Sequence, residues 1–349
     1  MTDISPPDWR GFNLITMIEN QGLPPNQIRQ DIPPEEHFQW LVDWGFNFVR
    51  VCLNYRFWAP GEELFQADQS KLVQIDRIVE FGRKHGIHVS LDIHQGPGKW
   101  EQPVRAKPLN LWKDQVAVDS FAYHWGVLAK RYQGIPSSEL SLDLLNEPER
   151  DGGPEGLTLA WYEKWVRACV GAIRAEDPGR RIVVEGPRWA RDYVPALADL
   201  GLTWAFHCYD PISLTHYRSS LMDDKHHWPL PTWPMQPPAD GKWPLNEDYF
   251  ETYDLPGLKR HIQRWLDLAD RKLPVHLGEF GLHHNVPYSV GMAWMSDLLS
   301  LIRPHKIGFA YWGIDGNFGV IDPKRTDAEF VDFRGHKLDI KLLKTLQSA

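Results

Sequence analysis

The chain has 349 residues, 42% of them hydrophobic, and carries 38 basic against 46 acidic side chains for a net charge of −8. That length and apolar content suit one sizeable α/β domain, and an acidic balance with no basic block excludes nucleic acid and anionic membrane as partners. No apolar run nears the roughly 20 residues of a bilayer span, and Cys52, Cys169 and Cys208 lack metal-type spacing, so they read as buried free thiols.

Strand-like and helix-like segments alternate from one end to the other. The opening MTDISPPDWRGFN has neither a basic n-region nor an apolar h-region, so the expected location is the cytoplasm, with secretion the alternative if an export signal was removed. Short, continuously apolar runs at 11–16, 46–53, 88–94, 140–147, 181–186, 203–209, 274–279 and 308–314 predict strands covered on both faces. Helices are predicted at 33–45, where Pro-Pro-Glu-Glu supplies first-turn chemistry, and at 70–85, stopped by Gly86. Further amphipathic stretches fall at 114–132, 158–176, 257–272, 288–302 and 337–347; the fifth helix, near 195–200, is the weakest.

Eight such units without a repeat or linker predict an α/β fold, a single (β/α)8 TIM barrel over residues 1–349. An open doubly wound sheet would carry a glycine-rich phosphate loop after its first strand, and the sequence has none there. The connections after strands one, three and six are long, at 17–32, 95–113 and 211–255, and in a barrel all three fall on the active-site face. The last holds Trp228, Trp233 and Trp243. These either offer aromatic platforms on a wall that favours short oligosaccharides or chain ends, or pin the loop to the barrel. The total of 17 tryptophans is itself unusual, since flat aromatic faces are what sugar rings stack on.

The chemistry concentrates where strands end. LSLDLLNEPE stops at a proline that cannot continue a central strand, which leaves Asn146 and Glu147 at the strand mouth. PVHLGEFG delivers a second carboxyl, Glu279, between Gly278 and Gly281, which let other groups approach closely. Strand two brings Arg50 near its end, strand three His94, strand six His207 and Tyr209 on one face, and strand eight Trp312; strands one and five offer nothing comparable. Metal-binding motifs are absent, with no HExxH, and the pairs His226-His227 and His283-His284 lie in loops where neighbouring side chains diverge. Neither metal nor cofactor is expected.

With these motifs in order, FVRV, LDIH, LLNEP, FHCYDP, HLGEFG and YWG, the chain resembles family 5 of the glycoside hydrolases, the cellulase-like group of retaining (β/α)8 glycosidases. The resemblance spans essentially the whole chain. It implies Glu147 as general acid/base and Glu279 as nucleophile, with Arg50 and Tyr209 bonding the nucleophile and Asn146 the sugar 2-hydroxyl. His94 and His207 would line the site and Trp312 would support the ring beside the scissile bond. The implied substrate is a β-linked glucan or gluco-oligosaccharide, with a manno-oligosaccharide as the alternative, a non-catalytic sugar-binding barrel as a distant one, and a monomer as the acting form. Arg50 would keep Glu279 ionised, while burial and the neighbouring charge would raise the pKa of Glu147. The long loop after strand six argues against a crystalline polymer.

Overall fold

The computed structural model describes residues 8–15, 31–99, 108–222, 228–235 and 252–349. Eight parallel strands close on themselves in chain order: β1 (Arg10–Ile15), β2 (Phe48–Asn54), β3 (His88–Gln95), β4 (Leu140–Asp143), β5 (Arg181–Glu185), β6 (Thr203–His207), β7 (Val275–Phe280) and β8 (Gly308–Tyr311). β1 pairs with both β2 and β8, so the predicted (β/α)8 barrel is the fold observed.

The helices obey their local signals. Glu35–Asp43 begins with two glutamates, and Gln69–His85 is capped by Asp68 and ends on Gly86 in the left-handed region at φ 67°. Gln115–Arg131, Leu159–Glu176, Leu255–Asp270 and Tyr288–Ile302 complete the outer ring. After β5 the weak fifth helix is a 3₁₀ turn, Pro195–Leu200, closed by a left-handed Gly201. The helix predicted at 337–347 starts only at Ile340. Its first residues instead form a hairpin, β9 (Val331–Phe333) with β10 (His336–Leu338), because Arg334 and Gly335 both adopt positive φ, as a two-residue hairpin turn requires.

Side-chain alternation divides the barrel interior into two layers. Trp9, Phe48, Val183, Ala205 and Ala310 form an apolar cluster at the end where the strands begin, with the Trp9 and Phe48 rings stacked at 4.8 Å. Two residues further along stand Arg50, Glu185 and His207 on the same strands and Trp312 just past the end of β8. The tryptophan surplus belongs to packing. Trp40, Trp58, Trp125, Trp165, Trp204 and Trp294 are among the largest fully buried side chains, and Trp189 is the one described tryptophan that is exposed. Trp228 is buried and Trp233 donates from Nε1 to Asp297 at 2.8 Å, so both pin their loop to the barrel; Trp243 lies outside the described residues. The three cysteines are free and buried, as expected. No helix among the described residues is long and apolar enough to cross a membrane.

The apolar plug lies one layer below the polar groups. Trp9→Ala should lower stability by about 3–5 kcal/mol, the usual range for removing a buried large aromatic, while leaving kcat/KM of the folded protein unchanged. Denaturant unfolding monitored beside activity checks both.

Candidate active site

Several strands end earlier than the apolar pattern suggests. β4 stops at Asp143 rather than Glu147, although the Leu144 amide still reaches Val183 O and the Asn146 amide reaches Ile93 O. The chain then turns sharply, with Glu147 at φ 48°, a left-handed conformation that a non-glycine residue holds only when its surroundings enforce it. The enforcing bond comes from β5, where Glu185 Oε2 accepts the Glu147 amide at 2.7 Å. β6 ends at His207 and β7 continues past Glu279 to Phe280, and register shifts at both places re-aim the side chains. Gly278 and Gly281 fulfil their expected role. A Cβ on Gly278 would lie 3.2 Å from His207 Nε2, and one on Gly281 would lie 3.2 Å from Trp312 Cβ.

Arg50 lies within β2 rather than at its end, and its fully buried guanidinium is the hub. Nε donates to Asp143 Oδ2 at 2.8 Å, Nη1 to Glu279 Oε1 at 2.6 Å and to Asn13 Oδ1 at 3.1 Å, and Nη2 to Glu185 Oε1 at 2.7 Å and Asn146 Oδ1 at 3.0 Å. Asp92 Oδ2 stands 3.0 Å from Nη2. These partners come from strands on opposite sides of the closed sheet, so they meet in its lumen. Burial opposes the guanidinium charge, but Asp92, Glu185, Asp143 and Glu279 outweigh it and hold Arg50 firmly protonated.

The remaining expected residues gather above this hub. Tyr209 donates its hydroxyl to Glu279 Oε2 at 3.1 Å. His207 reaches Glu147 Oε1 from Nδ1 at 2.9 Å and Glu185 Oε1 from Nε2 at 3.0 Å, and its Nδ1 is 3.6 Å from Glu279. The His94 ring bonds Asp92 and stacks on Trp312, with centroids 5.8 Å apart and planes at 25°. All eight sequence-derived positions thus converge. The expectation that strands one and five contribute nothing is overturned. Asn13 ties β1 to Arg50 and to the β7 and β8 backbone, and Glu185 is the acceptor for Arg50, His207 and Glu147. Asp92, Asp143 and Glu185 shared one overlooked signal, a charged residue inside a continuously apolar strand.

Protonation also departs from expectation. Burial works against charge on His207, but Glu185 and Glu279 together with its bonds to Glu147 and Glu185 outweigh it and hold its pKa well above the ordinary imidazole value, which favours the imidazolium. Against the effect of burial, that imidazolium holds the Glu147 carboxyl well below the usual range. Burial pushes Glu279 up to about 6 despite His207 and Arg50. It likewise raises Asp92 to about 8 and Asp143 to about 7. Burial is the main cause in all three, and the negative charge of neighbouring carboxyls adds to it against the opposing pull of Arg50.

Two donor sets, Cys52 with Asp92 and His94 and Glu147 with His207 and Glu279, have ligand atoms within 4.8 Å of one another. In the first, Arg50 already lies on Asp92, and in the second His207 Nδ1 is within hydrogen-bond distance of Glu147 Oε1, at 2.9 Å. His283 and His284 do not diverge as expected: their rings lie 4.2 Å apart. The pair His226-His227 lies outside the described residues.

A closely spaced carboxyl pair on the C-terminal face of a (β/α)8 barrel is the arrangement of a glycoside hydrolase. A family model, Cellulase (glycosyl hydrolase family 5), matches residues 9–318, and the chain belongs to that family. It is 25% identical to Endoglucanase C of Acetivibrio thermocellus over 80% of this chain and 82% of that one. It is 23% identical to Endoglucanase 3 of Fibrobacter succinogenes over 90% of this chain, and spans about half of that relative's length, 50%. A crystal structure of a glycoside hydrolase superposes with TM-score 0.87 at 32% identity, covering 97% of this chain and 98% of the other. Thermotoga maritima Cel5A in complex with mannotriose superposes with TM-score 0.70 at 19% identity over 97% of each chain, and the same protein has been solved with cellobiose.

If His207 holds the proton, carbon-13 NMR of labelled glutamates in the free protein should show Glu279 titrating near pH 6, the value to which burial raises it. Glu147 should stay ionised far into the acid range; a Glu147 transition above its ordinary value would contradict the assignment.

Proposed function

We propose that the protein hydrolyses β-linked glucans or gluco-oligosaccharides by double displacement, with Glu279 as nucleophile and Glu147 as general acid/base. The observation that supports this most directly is the carboxyl spacing: an oxygen of Glu147 and one of Glu279 lie within 4.8 Å. Retaining enzymes hold the pair about 5–5.5 Å apart, whereas inverting enzymes leave about 6.5–9.5 Å for a water.

In the first step Glu279 attacks the anomeric carbon while Glu147 gives its proton to the departing glycosidic oxygen, leaving a glycosyl ester on Glu279. In the second, Glu147 takes a proton from water, which attacks the same carbon and returns Glu279 as carboxylate. Arg50 and Tyr209 stabilise the carboxylate that leaves. Asn146 accepts from Arg50 through Oδ1, which leaves its amide N–H as the donor toward a sugar hydroxyl. The stacked His94–Trp312 pair offers a flat face for the ring. The proton on Glu147 must come across from His207 Nδ1 at 2.9 Å.

A mannose-containing substrate is the second reading, favoured by the complexes of the Thermotoga relative with both mannotriose and cellobiose. Product analysis on cello- and manno-oligosaccharides of defined length separates the two.

Three outcomes test the chemistry. Glu279→Ala should reduce turnover by several orders of magnitude, and a 2-fluoro glycoside should label Glu279 in the parent enzyme; a label on another carboxylate refutes the assignment. Glu147→Ala should impair substrates with poor leaving groups far more than activated aryl glycosides, and azide should restore turnover as a β-glycosyl azide. Because only ionised Glu279 attacks and burial raises its pKa to about 6, kcat/KM should fall as pH drops through about 6. Tyr209→Phe, which loses a hydrogen bond to the charged form, should move that limb upward.

A further inference from the structure

The Glu185 carboxylate is wholly buried at the end of β5. Every hydrogen bond described for its side chain comes from a donor bearing on one of the two glutamates. Oε2 accepts the Glu147 amide at 2.7 Å, and Oε1 accepts from His207 Nε2 at 3.0 Å and from Arg50 Nη2 at 2.7 Å. His207 in turn meets Glu147 at 2.9 Å, and Arg50 meets Glu279 at 2.6 Å. Resting on the double-displacement reading above, we infer that Glu185 is the positioning residue of the acid/base: it holds the Glu147 backbone in its left-handed turn and anchors His207 as the group that exchanges a proton with the Glu147 carboxyl.

The chemistry follows from which nitrogen faces which acid. In the resting site both ring nitrogens carry protons. When the Nδ1 proton crosses to Glu147 Oε1, the remaining proton stays on Nε2 against Glu185, and the ring becomes the neutral Nε2–H tautomer. When Glu147 has given its proton to the leaving group, His207 is neutral and hydrogen-bonded only through Nε2. Deprotonation of water by Glu147 then restores one proton to the pair, so the count closes over a turnover. A carboxylate behind an imidazole fixes its tautomer and stabilises its charged form. The other charged or titratable groups about this cluster are Glu279 on β7, Arg50 on β2, Asp92 and His94 on β3, and Tyr209, whose hydroxyl donates to Glu279. Tyr162 donates its hydroxyl only to the Glu185 backbone carbonyl, at 2.7 Å. None of these except Glu147, Glu185 and Glu279 lies within ion-pair distance of His207 among the described residues.

Glu185→Gln keeps the shape and removes the charge, and its amide N–H2 must then face a donor. The basic limb of kcat/KM, which reports the free enzyme's acid, should move down by about 1–3 pH units, the usual effect of losing an adjacent opposite charge. Activity on poor leaving groups should fall about 100-fold, the scale of impaired general-acid catalysis, with KM little changed and activated aryl glycosides affected less. In a His207→Gln background the same substitution should leave the limb where it stands. An unmoved limb, or an equal shift without the imidazole, overturns the inference. Should Glu185→Gln fail to fold, nitrogen-15 NMR of His207 in the parent enzyme decides: both ring nitrogens protonated at pH 8 supports the inference and a neutral ring overturns it. Failure of the underlying reading shows separately, with Glu185 intact, as fluoro-sugar labelling away from Glu279 or no azide rescue of Glu147→Ala.

Discussion

One buried cation organises the upper half of this barrel. Arg50 lies in contact with carboxyls from β3, β4, β5 and β7, none of which has more than marginal access to solvent. Burying so many ionisable groups is costly, and replacing such clusters by packed apolar residues is often stabilising in other proteins. The arrangement is therefore better understood as a device for charge than for stability. A guanidinium satisfies several acceptors in a fixed plane where a lysine ammonium would act as a point, so the carboxyls it holds are fixed in angle as well as distance. Burial, reinforced by the neighbouring acids, pushes Asp92 up to about 8 and Asp143 up to about 7 in spite of Arg50.

That crowding also sets how the two glutamates differ. Both are near His207, but Glu147 is hydrogen-bonded to it and Glu279 stands further off, at 3.6 Å. Direct bonding to an imidazolium lowers one carboxyl, while burial lifts the other. A proton on the imidazole rather than on Glu147 is a store one hydrogen bond away from its place of use. The left-handed backbone at Glu147 belongs to the same design, because it turns the carboxyl out of the strand line toward His207 while Glu185 clamps the amide beneath.

The fold was legible in the sequence because its signals are local and repeated: eight apolar runs, amphipathic stretches between them, and a glycine stop such as Gly86. The site was legible where a residue interrupts a pattern, as Glu147 does before Pro148 and Glu279 between glycines. Three things escaped. Asp143 interrupts an apolar run and Glu185 ends one before Gly186-Pro187, and only the closed sheet shows that they meet Arg50 from across the lumen. The apolar pattern overruns the strand ends, because Leu144 and Leu145 continue it into a turn that is buried but no longer paired as a strand. The pKa order was inverted, since it depends on His207 Nδ1 facing Glu147, a fact of three-dimensional register. The tryptophans depart for a related reason: composition cannot say which way an indole faces, and here most of the described ones are buried.

At four of the eight strands, function and stability stand two residues apart. Phe48 and Arg50, Val183 and Glu185, Ala205 and His207, and Ala310 and Trp312 each place an apolar group in the lower layer and a functional one above it. Because the side-chain period of a strand is two, a slip of one residue would move both layers out of the lumen together, so the apolar plug also fixes the register of the polar hub. That coupling lets a costly charged layer persist: the free energy favouring correct register comes from Trp9, Phe48 and their neighbours, and the hub above is held in geometry without having to be stabilising in itself. Variation in the loops can then alter which sugar is held while the charge arithmetic beneath stays as it is.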